Sequence, residues 1–159
     1  MKHKILFVCM GNICRSATAE AVMKKLIEDR GLSANFEIDS AGILSVHRGE
    51  KADPRMRKHG AGRGYDLTSI SRPVKMDDFD KFDLIIGMDD SNMEDLNNRA
   101  LTAEHKTKIH KMTEYSKKYN HTYIPDPYYG GAAGFELVID LLEDACEGLL
   151  ESFYEKLKR

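Results

Sequence analysis

The chain has no tryptophan, four prolines and only three cysteines in 159 residues, and it has no apolar run of membrane-spanning length. Each shortage excludes something. Cys9, Cys14 and Cys146 are too few and odd in number for the disulfide framework of a small secreted domain. Without an apolar stretch of about 20 residues, no transmembrane helix is expected. A formal net charge of −2 offers no overall attraction to nucleic acid or to an anionic membrane surface. No His/Cys cluster has metal-ligand spacing, so neither metal nor cofactor is called for. The charged start Met1-Lys2-His3-Lys4 is followed by only four apolar residues before Cys9, too short for a secretory signal. A reducing cytoplasm is the expected setting. There is no repeat, low-complexity tract or linker, so residues 1–159 read as a single domain.

What is present is a soluble, mixed pattern of strands and helices. Ile5-Leu6-Phe7-Val8 is continuously apolar, as in a parallel strand covered on both faces. Ala19, Val22, Met23, Leu26 and Ile27 share one helical face, and Gly31 offers a stop. Phe36 to Ser40 alternates as a second strand, and a short helix is expected after Asp53-Pro54. Phe82 to Met88 reads as a third strand, followed by a helix that Asp89 to Asn92 would cap. Lys108 to Met112 is a weaker fourth strand. A long final helix is expected from Phe135 to Leu157. Strands alternating with helices predict an α/β fold, a parallel open sheet with helices on both faces. Ligands of such sheets sit beyond the carboxyl ends of the strands.

The loop at that position, Cys9-Met10-Gly11-Asn12-Ile13-Cys14-Arg15-Ser16, has the composition of a phosphate cradle. Gly11 permits a tight turn in which successive N–H groups point inward as an anion nest. A helix opening near Ser16 adds the positive end of its dipole. Arg15 supplies a planar fork for two phosphate oxygens. Cys9 begins the loop with its sulfur aimed at the nest, placed for in-line attack at phosphorus. The competing reading, a buried cysteine packed as a small hydrophobe, does not account for the rest of the string.

With this loop the chain closely resembles the low-molecular-weight protein tyrosine phosphatase family. Asp126-Pro127-Tyr128-Tyr129-Gly130 is similar to the family's general-acid loop. Ser40-Ala41-Gly42, Asp53-Pro54-Arg55, Lys58-His59-Gly60, Phe82-Asp83 and Met88 to Asn92 recur in the family's order. The resemblance spans residues 4 to about 155 and implies four parallel strands with the phosphate loop after the first. It implies hydrolysis of phosphotyrosine in protein substrates through a phosphocysteine on Cys9. Arg15 would bind the phosphoryl group with Met10, Gly11, Asn12, Ile13, Cys14 and Ser16. Asp126, stiffened by Pro125 and Pro127, would protonate the leaving phenolate, although Asp-Pro also simply makes turns. Val46, Tyr128 and Tyr129 would wall the pocket, the tyrosines stacking on an aryl ring or merely packing. Asn12, Ser16 and Ser40 look like a polar scaffold for the loop, and Asp89 would brace Arg15, cap a helix, or do both. Cys14 would form a protective disulfide with an oxidised Cys9 or remain a packed thiol. The chain is expected to be a monomer or to self-associate weakly.

Three departures stand out: Val46 where the family usually has an aromatic residue, Ser69 where a His is common, and an unusual Arg63-Gly64 in a glycine-rich stretch expected near the site and mobile. Three rival functions share parts of the pattern. An arsenate reductase would need cysteines between Cys14 and Cys146, and there are none. An arginine phosphatase would share nearly everything, though such relatives tend to carry Thr where Ile13 stands. A phosphotyrosine-binding redox sensor would leave Cys9 or Asp126 idle.

Overall fold

The computed structural model describes residues 2–128 and 131–157, with only the backbone of the last three. Four strands, β1 (His3–Cys9), β2 (Phe36–Gly42), β3 (Leu84–Gly87) and β4 (Ile109–Lys111), form one parallel sheet in the order β2-β1-β3-β4. Among the described residues six α-helices connect and flank them: α1 (Arg15–Asp29), α2 (Pro54–Gly62), α3 (Met76–Lys81), α4 (Asp90–Arg99), α5 (Ala103–Thr107) and α6 (Ala132–Leu157). This is the expected α/β architecture. No helix among the described residues is long and apolar enough to cross a membrane.

The alternation of side chains along β1 explains the layering. Ile5 and Phe7 face one core with Ile38, Ile86, and residues of α1 and α6 such as Val22, Leu142, Leu149 and Phe153. Leu6 and Val8 face a second core with Ile85, Ile109, Phe79, Phe82 and Leu96. These β1 residues are fully buried, each worth about 1.5–3 kcal/mol of transfer free energy. The strand therefore reads as an unbroken apolar run, because both its faces are covered.

Some boundaries differ from the sequence reading. Helix α3 was not expected: its sequence Met-Asp-Asp-Phe-Asp-Lys buries only Asp78 and Phe79, too short a stretch for periodicity to register. Phe82 closes that helix by donating its N–H to the Asp78 carbonyl, which delays β3 to Leu84. Helix α5, five residues long, was missed for the same reason. The strand order reverses between β1 and β3, and the crevice beyond their carboxyl ends is where such folds bind ligands.

Candidate active site

Cys9 is the last residue of β1 and Arg15 the first of α1, so the loop between them is a direct strand-to-helix handover. Its carbonyls are held from outside by distant segments. Cys9 O accepts from Ile43 N–H and Met10 O from Leu44 N–H, both at 2.9 Å, and Ile13 O accepts from Asp53 N–H at 2.9 Å. Gly11 O accepts from the Ser71 hydroxyl at 2.9 Å. With no cis peptides among the described residues, the N–H of each planar unit points opposite to its carbonyl. Outward carbonyls therefore turn the following amides inward, which builds an anion nest. At Gly42 a Cβ would come within 3.1 Å of the Gly11 and Met10 backbone, so a side chain there would press on the loop where it crosses the end of β2.

Asn12 adopts φ 59°, left-handed backbone that costs a non-glycine residue of order 1 kcal/mol or more. Its side chain holds that conformation from both ends. The amide donates to Ser16 Oγ at 2.8 Å, and Oδ1 accepts from Arg72 N–H at 3.1 Å. Ser16 in turn places its hydroxyl 3.0 Å from Cys9 Sγ and its backbone N–H 3.4 Å away. The sulfur is almost fully buried, at the bottom of the nest.

Arg15 is buried beside it. Nη1 donates to Asp89 Oδ2 at 2.6 Å and to Ile124 O at 3.0 Å, while Nη2 lies 3.9 Å from Asp126 Oδ2. Burial works against the guanidinium charge, but Cys9 and the Asp89 hydrogen bond outweigh it and raise the Arg15 pKa, so the cation persists. Asp89 performs both tasks open to it: its other oxygen accepts from Asn92 N–H at 2.8 Å and caps α4. Asp126 is half exposed and its Oδ1 accepts from Tyr128 N–H at 3.0 Å. Above the loop opens a pocket of about 250 Å³ lined by Cys9, Met10, Gly11, Ile13, Cys14, Arg15, Leu44, Val46, His47, Asp126 and Tyr128.

The model of the low molecular weight phosphotyrosine protein phosphatase family matches residues 4–159. The chain belongs to that family. A protein tyrosine phosphatase of Entamoeba histolytica, solved with Hepes in its active site, is 51% identical to this phosphatase and superposes with a TM-score of 0.95, covering 98% of this chain and 99% of the other. A Synechocystis relative, provisionally named a low molecular weight protein-tyrosine-phosphatase, is 44% identical over 97% of this chain and 98% of its own. The mouse low molecular weight phosphotyrosine protein phosphatase is 40% identical over 94% and 95%, respectively.

Other residues of the phosphatase singled out by sequence fall in varied places. Asn12 and Ser16 lie beneath the loop. Ser40, expected to support the loop, instead gives its hydroxyl to Glu20 Oε1 at 2.6 Å; it shares the strand face that packs on α1, so it anchors the helix. Ser69 leaves its hydroxyl buried without a partner, and Ser71 and the Arg72 backbone make the contacts to the loop. Val46 is strongly exposed at the rim, 71% accessible. Tyr129 lies outside the described residues. The Arg63-Gly64 stretch does not border the pocket: Arg63 pairs with Glu136, Asp140 and Glu143 on α6, which ties it down rather than freeing it. Cys14 is buried next to the pocket, where burial first, and then the charges of Asp53, Cys9 and Asp126, push its thiol pKa far up. Leu44 and His47 line the pocket as well; the segment after β2 has no periodicity of its own, and only the family resemblance around Val46 marked it as a wall.

Proposed function

We propose that this chain hydrolyses phosphotyrosine in protein substrates through a phosphocysteine on Cys9, without a metal or cofactor. The observation that carries the reading is the Cys9 sulfur at the floor of a pocket walled by Arg15 and the loop, with the Asp126 carboxyl at its rim. The phosphoryl oxygens rest on the inward amides and the Arg15 fork. The sulfur attacks phosphorus as the P–O bond to the phenol breaks, and Asp126 gives its proton to the departing oxygen. Water then attacks the phosphocysteine, Asp126 takes back a proton, and phosphate leaves as the thiolate is restored. The hydroxyl and N–H of Ser16 face the sulfur and stabilise its negative charge at the start and end of the cycle. Ile13, Leu44, Val46 and Tyr128 give the walls an apolar character suited to an aryl ring. Oxidation of Cys9 to a sulfenic acid by a peroxide, itself reduced to water, would let the Cys14 thiol displace water and form a disulfide, protecting the nucleophile.

The test is turnover of aryl phosphates. Cys9→Ser abolishes it while retaining phosphate binding. Asp126→Ala slows esters of poor leaving groups by about 10²–10⁴-fold and those of good leaving groups far less. Equal slowing of both removes Asp126 from the acid role. A panel of phosphotyrosine, phosphoserine and phosphoarginine peptides checks the substrate class, and preference for phosphoarginine would overturn the aryl-ester reading.

A further inference from the structure

A second pocket of about 320 Å³ adjoins the first, lined in part by Ile13, His47, Lys51, Asp53, Arg57 and Tyr128. Ile13, His47 and Tyr128 belong to both, so a single layer of side chains separates the two hollows. The charged groups of the second one differ in how they are partnered. Its two carboxylates are occupied: Glu50 bonds His47 Nδ1 at 2.5 Å, and Asp53 accepts from the backbone N–H, Nε and Nη2 of Arg55. Its two cations make no ion pair among the described residues. Among the described residues Lys51 meets no carboxylate, and Arg57 uses only Nε, on the Ala52 carbonyl at 3.0 Å. The backbone that carries them is fixed. Lys51 pairs with Ile70 across an antiparallel bridge, and the Asp53 N–H is bonded to Ile13 O of the phosphate loop. The spacing from the cations to the loop is thereby set.

We infer that Lys51 and Arg57 form a subsite for a carboxylate side chain of the substrate, one or two residues from the phosphotyrosine. The inference rests on the phosphotyrosine reading above. A peptide advances about 3.3–3.6 Å per residue when extended, so a neighbouring Asp or Glu crosses the shared wall while the phosphotyrosine ring fills the first pocket. The occupant is an acidic peptide side chain by charge complementarity, which selects partners more than it adds raw affinity. Lys51 is exposed, so the attraction is modest and sensitive to salt.

The experiment compares phenyl phosphate with phosphotyrosine peptides that carry Asp, Ala or Lys at the flanking positions. The unmodified protein is expected to favour Asp over Lys peptides by about fivefold in kcat/KM, and added salt reduces that ratio. Lys51→Gln with Arg57→Gln brings the ratio close to one, and Lys51→Glu reverses it, while phenyl phosphate turnover stays unchanged in both variants. An Asp preference that survives the double variant, or its absence from the unmodified protein, overturns the subsite. So does an equal loss on phenyl phosphate, which would mean that the substitutions damage the loop. Failure of the unmodified protein to turn over phenyl phosphate at all instead refutes the phosphatase mechanism on which the subsite depends.

Discussion

At the scale of single residues the site depends on side chains that serve two partners at once. Asp89 is the clearest. One oxygen fixes the Arg15 guanidinium at 2.6 Å and the other caps α4 through Asn92 N–H. The two roles separate by substitution. Asparagine caps a helix about as well as aspartate but withdraws the negative charge from a buried arginine. Asp89→Asn is expected to lower kcat/KM for an aryl phosphate by about tenfold or more, with little change in α4. Asp89→Ala should lose about 1 kcal/mol of further stability from the missing cap. Urea titration with kinetics on both variants checks this, and equal stability of the two would show that the cap contributes nothing. The sequence suggested both roles for Asp89, because a carboxylate between a strand and a helix invites each. It did not suggest that Ser71 and the Arg72 backbone hold the loop. A backbone N–H carries no side-chain signature, and Ser69, the position that drew attention, leaves its hydroxyl unpartnered.

At the scale of elements, legibility followed length. Helix α6 was plain because apolar positions recur along most of its 26 residues, enough for the 3.6-residue period to stand out. Helices α3 and α5 were not legible, each with too few buried residues to show a period. Packing between elements was invisible too, and Gly148 shows why. It lies in the middle of α6, where alanine would normally stabilise a helix by about 1 kcal/mol. Here a Cβ would fall 1.9 Å from the Tyr115 carbonyl oxygen. The segment after Tyr115 is held there by Asp144, whose carboxylate accepts the N–H groups of Lys117, Lys118 and Tyr119. Gly148→Ala must push that segment off the helix, so it is expected to destabilise by about 2–3 kcal/mol despite its better propensity. Gly62→Ala in α2 meets nothing within 4 Å and serves as the control, neutral or slightly stabilising. Chemical denaturation of both variants decides, and a stable Gly148→Ala would mean that the segment yields without cost.

At the scale of the whole molecule, the loop joins parts of the chain that are far apart in sequence. Its carbonyls and side chains are tied to Ile43, Leu44, Asp53, Ser71 and Arg72, and Arg15 reaches Asp89 and Ile124. Only Cys9 to Ser16 were legible as chemistry from their own neighbourhood. Asp126 became legible through family resemblance, since an isolated Asp-Pro reads as a turn. This non-local anchoring has a thermodynamic consequence. An anion bound by the nest needs every one of those segments in place, so it binds the folded chain and not the unfolded one. Inorganic phosphate at 100 times its Kd should therefore stabilise the fold by about 2.7 kcal/mol. For a chain of this size that corresponds to a rise in Tm of about 5–11 °C. Cys9→Ser should keep the rise, because the amides and the Arg15 fork remain. Arg15→Lys should lose much of it, because a point charge cannot hold two oxygens while also meeting Asp89 and the Ile124 carbonyl as the guanidinium does. Chloride at matched ionic strength should give little of it, which separates site binding from general screening. The discriminating result is the ranking of the two variants: if Arg15→Lys gains as much from phosphate as Cys9→Ser does, the guanidinium is not part of the anion site.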